Sequence, residues 1–287
     1  MLAITFGILA SVCFAAATLF AQRAMVISPT IWGAWLTLIA NTVFLFAVHF
    51  ILFRDAPIFD RGNLIFAGIG LFVPGLTRVL TFRGIRTMGS AITATIVNTT
   101  PMLSTALAVL LLHERPGPLI LFGVLLIVSG LATISWQPGQ TCWKRSELIY
   151  PFLAAFFFAG KDVTVRWGMA GNASPALAAG IAAATSTLAV TLLNLAVYRE
   201  RFALPPRSAL NLFLLSGFCT GGSFLFMYIA FSMESVAIVA PLINSYAVFV
   251  LLLAPLMARE IEELSTRKIM GAAFVVAGIF LISAGKG

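Results

Sequence analysis

Long apolar runs alternate along this chain with short polar breaks. Ten runs stand out, at 2–22, 31–53, 63–82, 90–112, 119–136, 148–167, 176–198, 210–231, 236–257 and 269–284. Runs of about 18 residues or more are long enough to cross a hydrocarbon core of ~30 Å as a helix. Backbone groups in lipid must pair within their own segment, so each run is expected to be helical. A transmembrane barrel would show short segments of alternating apolar and polar residues; these runs do not alternate. The first run has no basic segment before it and no small-residue cleavage site in a polar flank, so it reads as a first span rather than a signal peptide. The longest breaks, at 137–147, 199–208 and 258–268, are too short to fold as separate domains. Trp32, Trp35, Trp136, Trp143, Tyr150, Trp167 and Tyr198 lie near run ends, as interfacial anchors do. Pro74, Pro101, Pro241 and Pro255 fall inside runs, where a missing N–H kinks or unwinds a helix.

The pattern repeats. Leu9, Ala10, Phe14 and Met25 are matched by Leu153, Ala154, Phe158 and Met169. Met88 and Ser90 are matched by Met233 and Ser235, and Gly123 and Gly130 by Gly271 and Gly278. The offset grows along the chain, so a few residues are inserted in the second half. Two halves of five spans result, 1–140 and 147–287. An odd number of spans per half gives the halves opposite orientations. Inverted repeats of this kind are a recurring plan of secondary transporters, with a site near mid-membrane between the halves.

Composition supports a lipid environment. Of 287 residues, 60% are hydrophobic and 10% charged, against roughly 25% charged in soluble domains. Mean hydropathy is +1.03. The net charge of +8 does not indicate nucleic acid, because the basic residues are scattered at run ends and form no stripe with interleaved aromatics. Their distribution bears instead on topology. Alternate loops on one side hold Arg23, Arg83, Arg86, Lys144, Arg145, Arg199, Arg201, Arg207, Arg259, Arg267 and Lys268; the other side holds Arg54, Arg61, Arg115 and Lys286. The positive-inside rule places the richer side in the cytoplasm and both termini outside. Cys13, Cys142 and Cys219 have no metal-ligand spacing and read as small packing residues or loop positions.

The stretch 82–131 resembles the fourth and fifth helices of the EamA group of the drug/metabolite transporter superfamily. It carries small residues before Pro101, an acidic residue at a helix exit (Glu114) and Gly123 beyond it. The second copy, 228–285, departs from this pattern: Tyr246 replaces the proline, and the acid is Glu262 by spacing to Gly271 or Glu260 by position. The resemblance spans nearly the whole chain. It implies an all-α integral membrane protein with ten transmembrane helices as two inverted five-helix repeats, alternating access through a central cavity, an inner-membrane location and both termini inside. That last point conflicts with the loop charges.

Charges inside the spans need a reason, because burying one at mid-bilayer costs several kcal/mol. Lys161 and Asp162 lie just past the midpoint of the sixth run, ~5–6 Å from the membrane centre at 1.5 Å per residue. One reading pairs Asp162 with Arg166, four residues on and on the same face, with Lys161 snorkelling outward. The other makes Lys161 and Asp162 a cavity lining, Lys161 meeting an anionic substrate group and Asp162 orienting it, balancing it or carrying a proton. Arg78 follows Pro74 and Gly75 in the third run and is either a snorkelling anchor or a site residue. Asn98 and Thr99 precede Pro101, and Asn244, Ser245 and Tyr246 follow Pro241; these polar groups either pack helices or line the cavity. Glycines at seven-residue spacing, Gly123 and Gly130 with Gly271 and Gly278, are expected to let the fifth and tenth helices pack tightly. Glu114, Glu260, Glu262 and Glu263 read as solvated loop charge, or more sharply as a gating ion pair.

These features point to a secondary transporter, with export of amino acids or related small metabolites as the first reading and exchange of carboxylate- or phosphate-bearing metabolites as the second. An integral-membrane enzyme is the alternative from another class, but no HExxH motif, phosphate-binding loop or paired carboxylates appear within the spans. No cofactor or metal is implied. The expected partners are a small-molecule substrate and the bilayer. A proton, a counter-substrate and a homo-oligomer stay open.

Overall fold

The computed structural model describes residues 1–28, 32–52, 63–135, 145–171, 174–195, 204–257 and 265–286. They form α-helices joined by short connections: α1 (Leu2–Ile27), α2 (Trp32–Leu52), α3 (Leu64–Gly70), α4 (Thr77–Met88), α5 (Ser90–Val97), α6 (Thr100–Leu111), α7 (Pro118–Ser135), α8 (Ile149–Met169), α9 (Pro175–Leu193), α10 (Arg207–Met233), α11 (Val236–Asn244), α12 (Tyr246–Met257) and α13 (Thr266–Gly285). Among the described residues, nine helical stretches are long and apolar enough to cross a membrane, and Leu64–Val73 is a shorter apolar helix. Two of the nine, Ile92–Leu111 and Val236–Pro255, contain the breaks between α5 and α6 and between α11 and α12. Large apolar side chains such as Phe280, Leu252, Phe122 and Leu188 are more than half exposed on the outside of the bundle, as a lipid-facing surface requires.

The third run departs from expectation, since it is not one continuous helix. A π-helical segment, Leu71–Leu76, separates α3 from α4, and Val73 leaves helical geometry altogether at φ −125, ψ 121. Pro74 is the cause. Its ring disfavours the α region for the residue before it, and its missing N–H leaves the carbonyl of Gly70 without its i+4 donor. The Ser186 hydroxyl on α9 lies 2.9 Å from both the Gly70 and the Val73 carbonyl oxygens. Its one proton is shared among these acceptors and the Ala182 carbonyl of its own helix, 2.8 Å away, and stands in part for the lost ladder bond. Gly70 makes this approach feasible, because a Cβ there would collide with the Thr185 hydroxyl and the Ala182 carbonyl. A similar repair occurs before Pro101, where the Thr100 hydroxyl donates to the Val97 carbonyl at 2.6 Å.

Glycines also set the α7–α13 contact. A Cβ on Gly123 would sit 2.8 Å from the Gly278 carbonyl oxygen, and one on Gly130 would sit 2.5 Å from that of Gly271. The pairs expected from their spacing therefore face each other across an antiparallel contact. Gly217 and Gly221 do the same for α10, admitting Thr37 and Phe44 of α2. A cluster of Ile4, Ile120, Ile238 and Ile282 brings the starts of α1, α7 and α11 to the same end of the bundle as the close of α13. At that end Lys286 pairs with Glu234.

Candidate functional site

α8 starts with Pro151 in its first turn, where the missing N–H costs nothing. It then runs along a face of small residues, with Ala154, Ala155 and Ala159 fully buried. This face lets α6 pack close and delivers Asp162 into the protein interior at 3% exposure. The Asp162 carboxylate is held at both oxygens. Lys161 Nζ lies 2.9 Å from Oδ1, and the hydroxyl of Ser104 on α6 donates to Oδ2 at 2.8 Å. Both are charge-assisted bonds, among the stronger kinds a protein makes. Among the described residues, a further proton of the Lys161 ammonium meets only the weak acceptor Sδ of Met227, at 3.6 Å.

Lys161 also lines a cavity of ≈ 400 Å³ between α8 on one side and α3 with its π-helical continuation on the other. The volume is within the ~300–1,000 Å³ typical of small-molecule sites. Phe72, Phe156 and Phe157 supply aromatic walls; the rings of Phe72 and Phe157 stack at 6.0 Å with an interplanar angle of 5°. Lys161 and Thr164 are the polar side chains in the lining. The Thr164 hydroxyl proton is already given to the Gly160 carbonyl at 2.7 Å, so the ammonium is the donor that remains.

The pairing of Asp162 with Arg166 does not form. Arg166 Nη1 donates to the carbonyls of Phe231 at 2.6 Å and Ser232 at 3.2 Å. These belong to the last turn of α10, where carbonyls lack intrahelical donors and a cation is favoured by the helix dipole. The other expected site residues are not gathered around the cavity. Asn98, at the end of α5, donates to Ser135 Oγ on α7 at 2.8 Å. Thr99 donates to Ile96 O at 2.7 Å, and Asn244 to Ala240 O at 2.8 Å. Tyr246 meets Phe14 edge-on, with centroids 4.8 Å apart. These groups occupy the α5–α6 and α11–α12 breaks. Arg78 is in the first turn of α4, and its side chain is outside the described set.

Glu114 is not a bare loop charge, and among the described residues it forms no ion pair. Its two oxygens accept from the backbone N–H groups of Val236 at 2.8 Å and Ala237 at 3.2 Å. It thus caps the N-terminus of α11, where a carboxylate is favoured by unpaired donors and dipole together. Glu260, Glu262 and Glu263 lie outside the described residues. Sequence reasoning missed Ser104 and the three phenylalanines. Ser104 carried no signal of its own, since a serine in a membrane helix commonly bonds its own backbone.

The sequence pattern of the EamA-like transporter family matches residues 1–136 and again residues 145–284. The chain belongs to the EamA-like transporter family. This EamA-like transporter is a multi-pass membrane protein with two family halves, and its work is transport rather than catalysis. A protein of known crystal structure is similar over 98% of this chain and 96% of its own, with a TM-score of 0.80 at 19% identity; that likeness is one of fold. No curated protein matches the chain. In this transporter the cavity at Lys161 lies between α3 of the first family half and α8 of the second.

Proposed function

We propose that this EamA-like transporter is a secondary carrier, an exporter of small carboxylate-bearing metabolites. It works by alternating access in the cell inner membrane. Its binding site is the cavity between α3 and α8, and Lys161 is the group that meets the substrate. The observation that carries this reading is the Lys161 ammonium at a cavity wall, held in place by an Asp162 carboxylate that Ser104 anchors from the opposite half. A charge kept this far inside an apolar bundle is a functional-site signal. The preference for a carboxylate supports exchange of anionic metabolites as the second reading.

The packing also supports two moving halves, 1–140 and 147–287, related as inverted five-helix repeats of a ten-span fold. In such an arrangement α1 and α8 are counterparts, as are α10 and the broken third span. α1 packs closely along α10, whereas α8 and α3 leave the cavity between them. Likewise α6 packs on α11 and is tied to it by Glu114, while no comparable packing joins α5 to α12 among the described residues. Two halves in unlike conformations fit one state of an alternating cycle, and exchanging those conformations gives the other.

The test is uptake into proteoliposomes of labelled amino acids and organic anions, with and without a pH gradient, for wild type and Lys161→Ala. Saturable uptake that disappears in a correctly inserted variant is expected. Equal uptake by both would move the site away from Lys161. A reporter fused at Gly287 settles whether loop charge or family plan sets the orientation.

A further inference from the structure

The lining of the α3–α8 cavity is one-sided in charge. Eleven residues form it, and none is acidic. The nearest described carboxylate, Asp162, is 3% exposed, and both its oxygens are occupied by Lys161 and Ser104. A cationic group entering this cavity therefore finds no carboxylate in the lining, and the one side-chain acceptor there is the neutral hydroxyl oxygen of Thr164; a buried ammonium without an anionic partner is strongly disfavoured.

The rest of the wall is apolar, with the Phe72, Phe156 and Phe157 rings ready for a hydrocarbon or aryl body.

We propose that the cavity selects a small apolar monocarboxylate, an aryl- or alkyl-carboxylate without an α-ammonium group, and discriminates against the zwitterionic amino acid of the same size. This rests on the reading of the cavity as the transport site and narrows its substrate class. The carboxylate takes the Lys161 proton that now meets only Met227 Sδ. Asp162 stays in place as the counter-ion, fixed by Ser104.

Three probes of one shape test it: 3-phenylpropanoate, phenylalanine and phenethylamine. Their binding is measured by titration calorimetry on the full chain in lipid nanodiscs, with empty nanodiscs as the blank. Saturable binding of 3-phenylpropanoate is expected, with phenylalanine at least tenfold weaker and phenethylamine silent. Phenylalanine binding as tightly as 3-phenylpropanoate, or no binding of 3-phenylpropanoate, overturns the proposal. Lys161→Met should abolish binding of the acid. Because that variant strands Asp162, the neutral pair Lys161→Met with Asp162→Asn is measured alongside it. Undiminished binding of the acid by the folded double variant also overturns the proposal. Counterflow of 3-phenylpropanoate in proteoliposomes separates the two levels. Binding without counterflow sinks the transport reading of the cavity and leaves its selectivity. Lys161-dependent uptake of another solute, with no binding of the acid, sinks the selectivity and leaves the transport reading.

Discussion

The Lys161–Asp162 pair sets up a double-mutant cycle with a definite expected outcome. The perturbations are Lys161→Met and Asp162→Asn, which remove each charge while keeping similar shape. The Asp162 side chain is 4% exposed and that of Lys161 15%. Removing the lysine therefore leaves a buried carboxylate with the Ser104 hydroxyl as its one remaining partner, a loss of about 3–5 kcal/mol. Removing the aspartate charge costs less, about 1–3 kcal/mol, because the ammonium is less buried than the carboxylate and forfeits mainly a charge-assisted hydrogen bond. The double variant carries no buried charge at this position, and neutral replacements for buried pairs often cost little. Its loss should be about 1–2 kcal/mol, so the coupling between the two sites is roughly 4–5 kcal/mol, above the usual range for contacting residues. The assay is reversible unfolding of the purified protein in mixed micelles, followed by helical circular dichroism. A double variant whose loss equals the sum of the single losses within about 0.5 kcal/mol would refute the pairing.

Other consequences follow from the same contacts. Glu114→Gln keeps one acceptor oxygen and loses the charge, so the cap on α11 weakens by about 1–2 kcal/mol; amide hydrogen exchange at Val236 and Ala237 should speed up about tenfold, and unchanged exchange would refute the cap. Gly271→Val places a Cβ 2.7 Å from the Gly130 carbonyl oxygen and should destabilise the α7–α13 contact by about 1–3 kcal/mol. Gly117→Ala, which meets nothing within 4 Å, is the control for that melting experiment and should melt like wild type. Ser186→Ala strips the Gly70 carbonyl of the donor that stands in for Pro74. It should cost about 1–3 kcal/mol in the same unfolding assay, and a neutral result would mean that water or a relaxed backbone already serves that oxygen.

Much of the fold was legible because lipid imposes a rule that a single sequence can express. Apolar runs of helical length recur, and nine stretches of the structure meet the same length and hydropathy demands. The Gly123, Gly130, Gly271 and Gly278 contact was legible for a related reason, since a seven-residue spacing fixes a helix face without knowledge of the partner. The third span was not. Its composition is as apolar as its neighbours', and Pro74 announced a kink but not its depth. How far the backbone unwinds at Val73 depends on Ser186, more than a hundred residues away in sequence, being present to take up the freed carbonyls.

The same division explains the site. Lys161 and Asp162 could be singled out because a charge in an apolar run is visible one residue at a time. Their partners could not. The helical i,i+4 rule offered Asp162 to Arg166, an exposed-helix preference worth only about 0.2–0.5 kcal/mol. Tertiary contacts outbid it easily. Ser104 reaches Asp162 from 58 positions away, and Phe231 receives Arg166 from 65. Glu114 likewise finds its N–H donors 122 positions downstream. A charge in a membrane interior is too costly to settle for a weak local partner, so it takes whichever strong partner the fold brings within reach. Which partner that is depends on how the helices cross, and residue spacing within one helix carries no record of it.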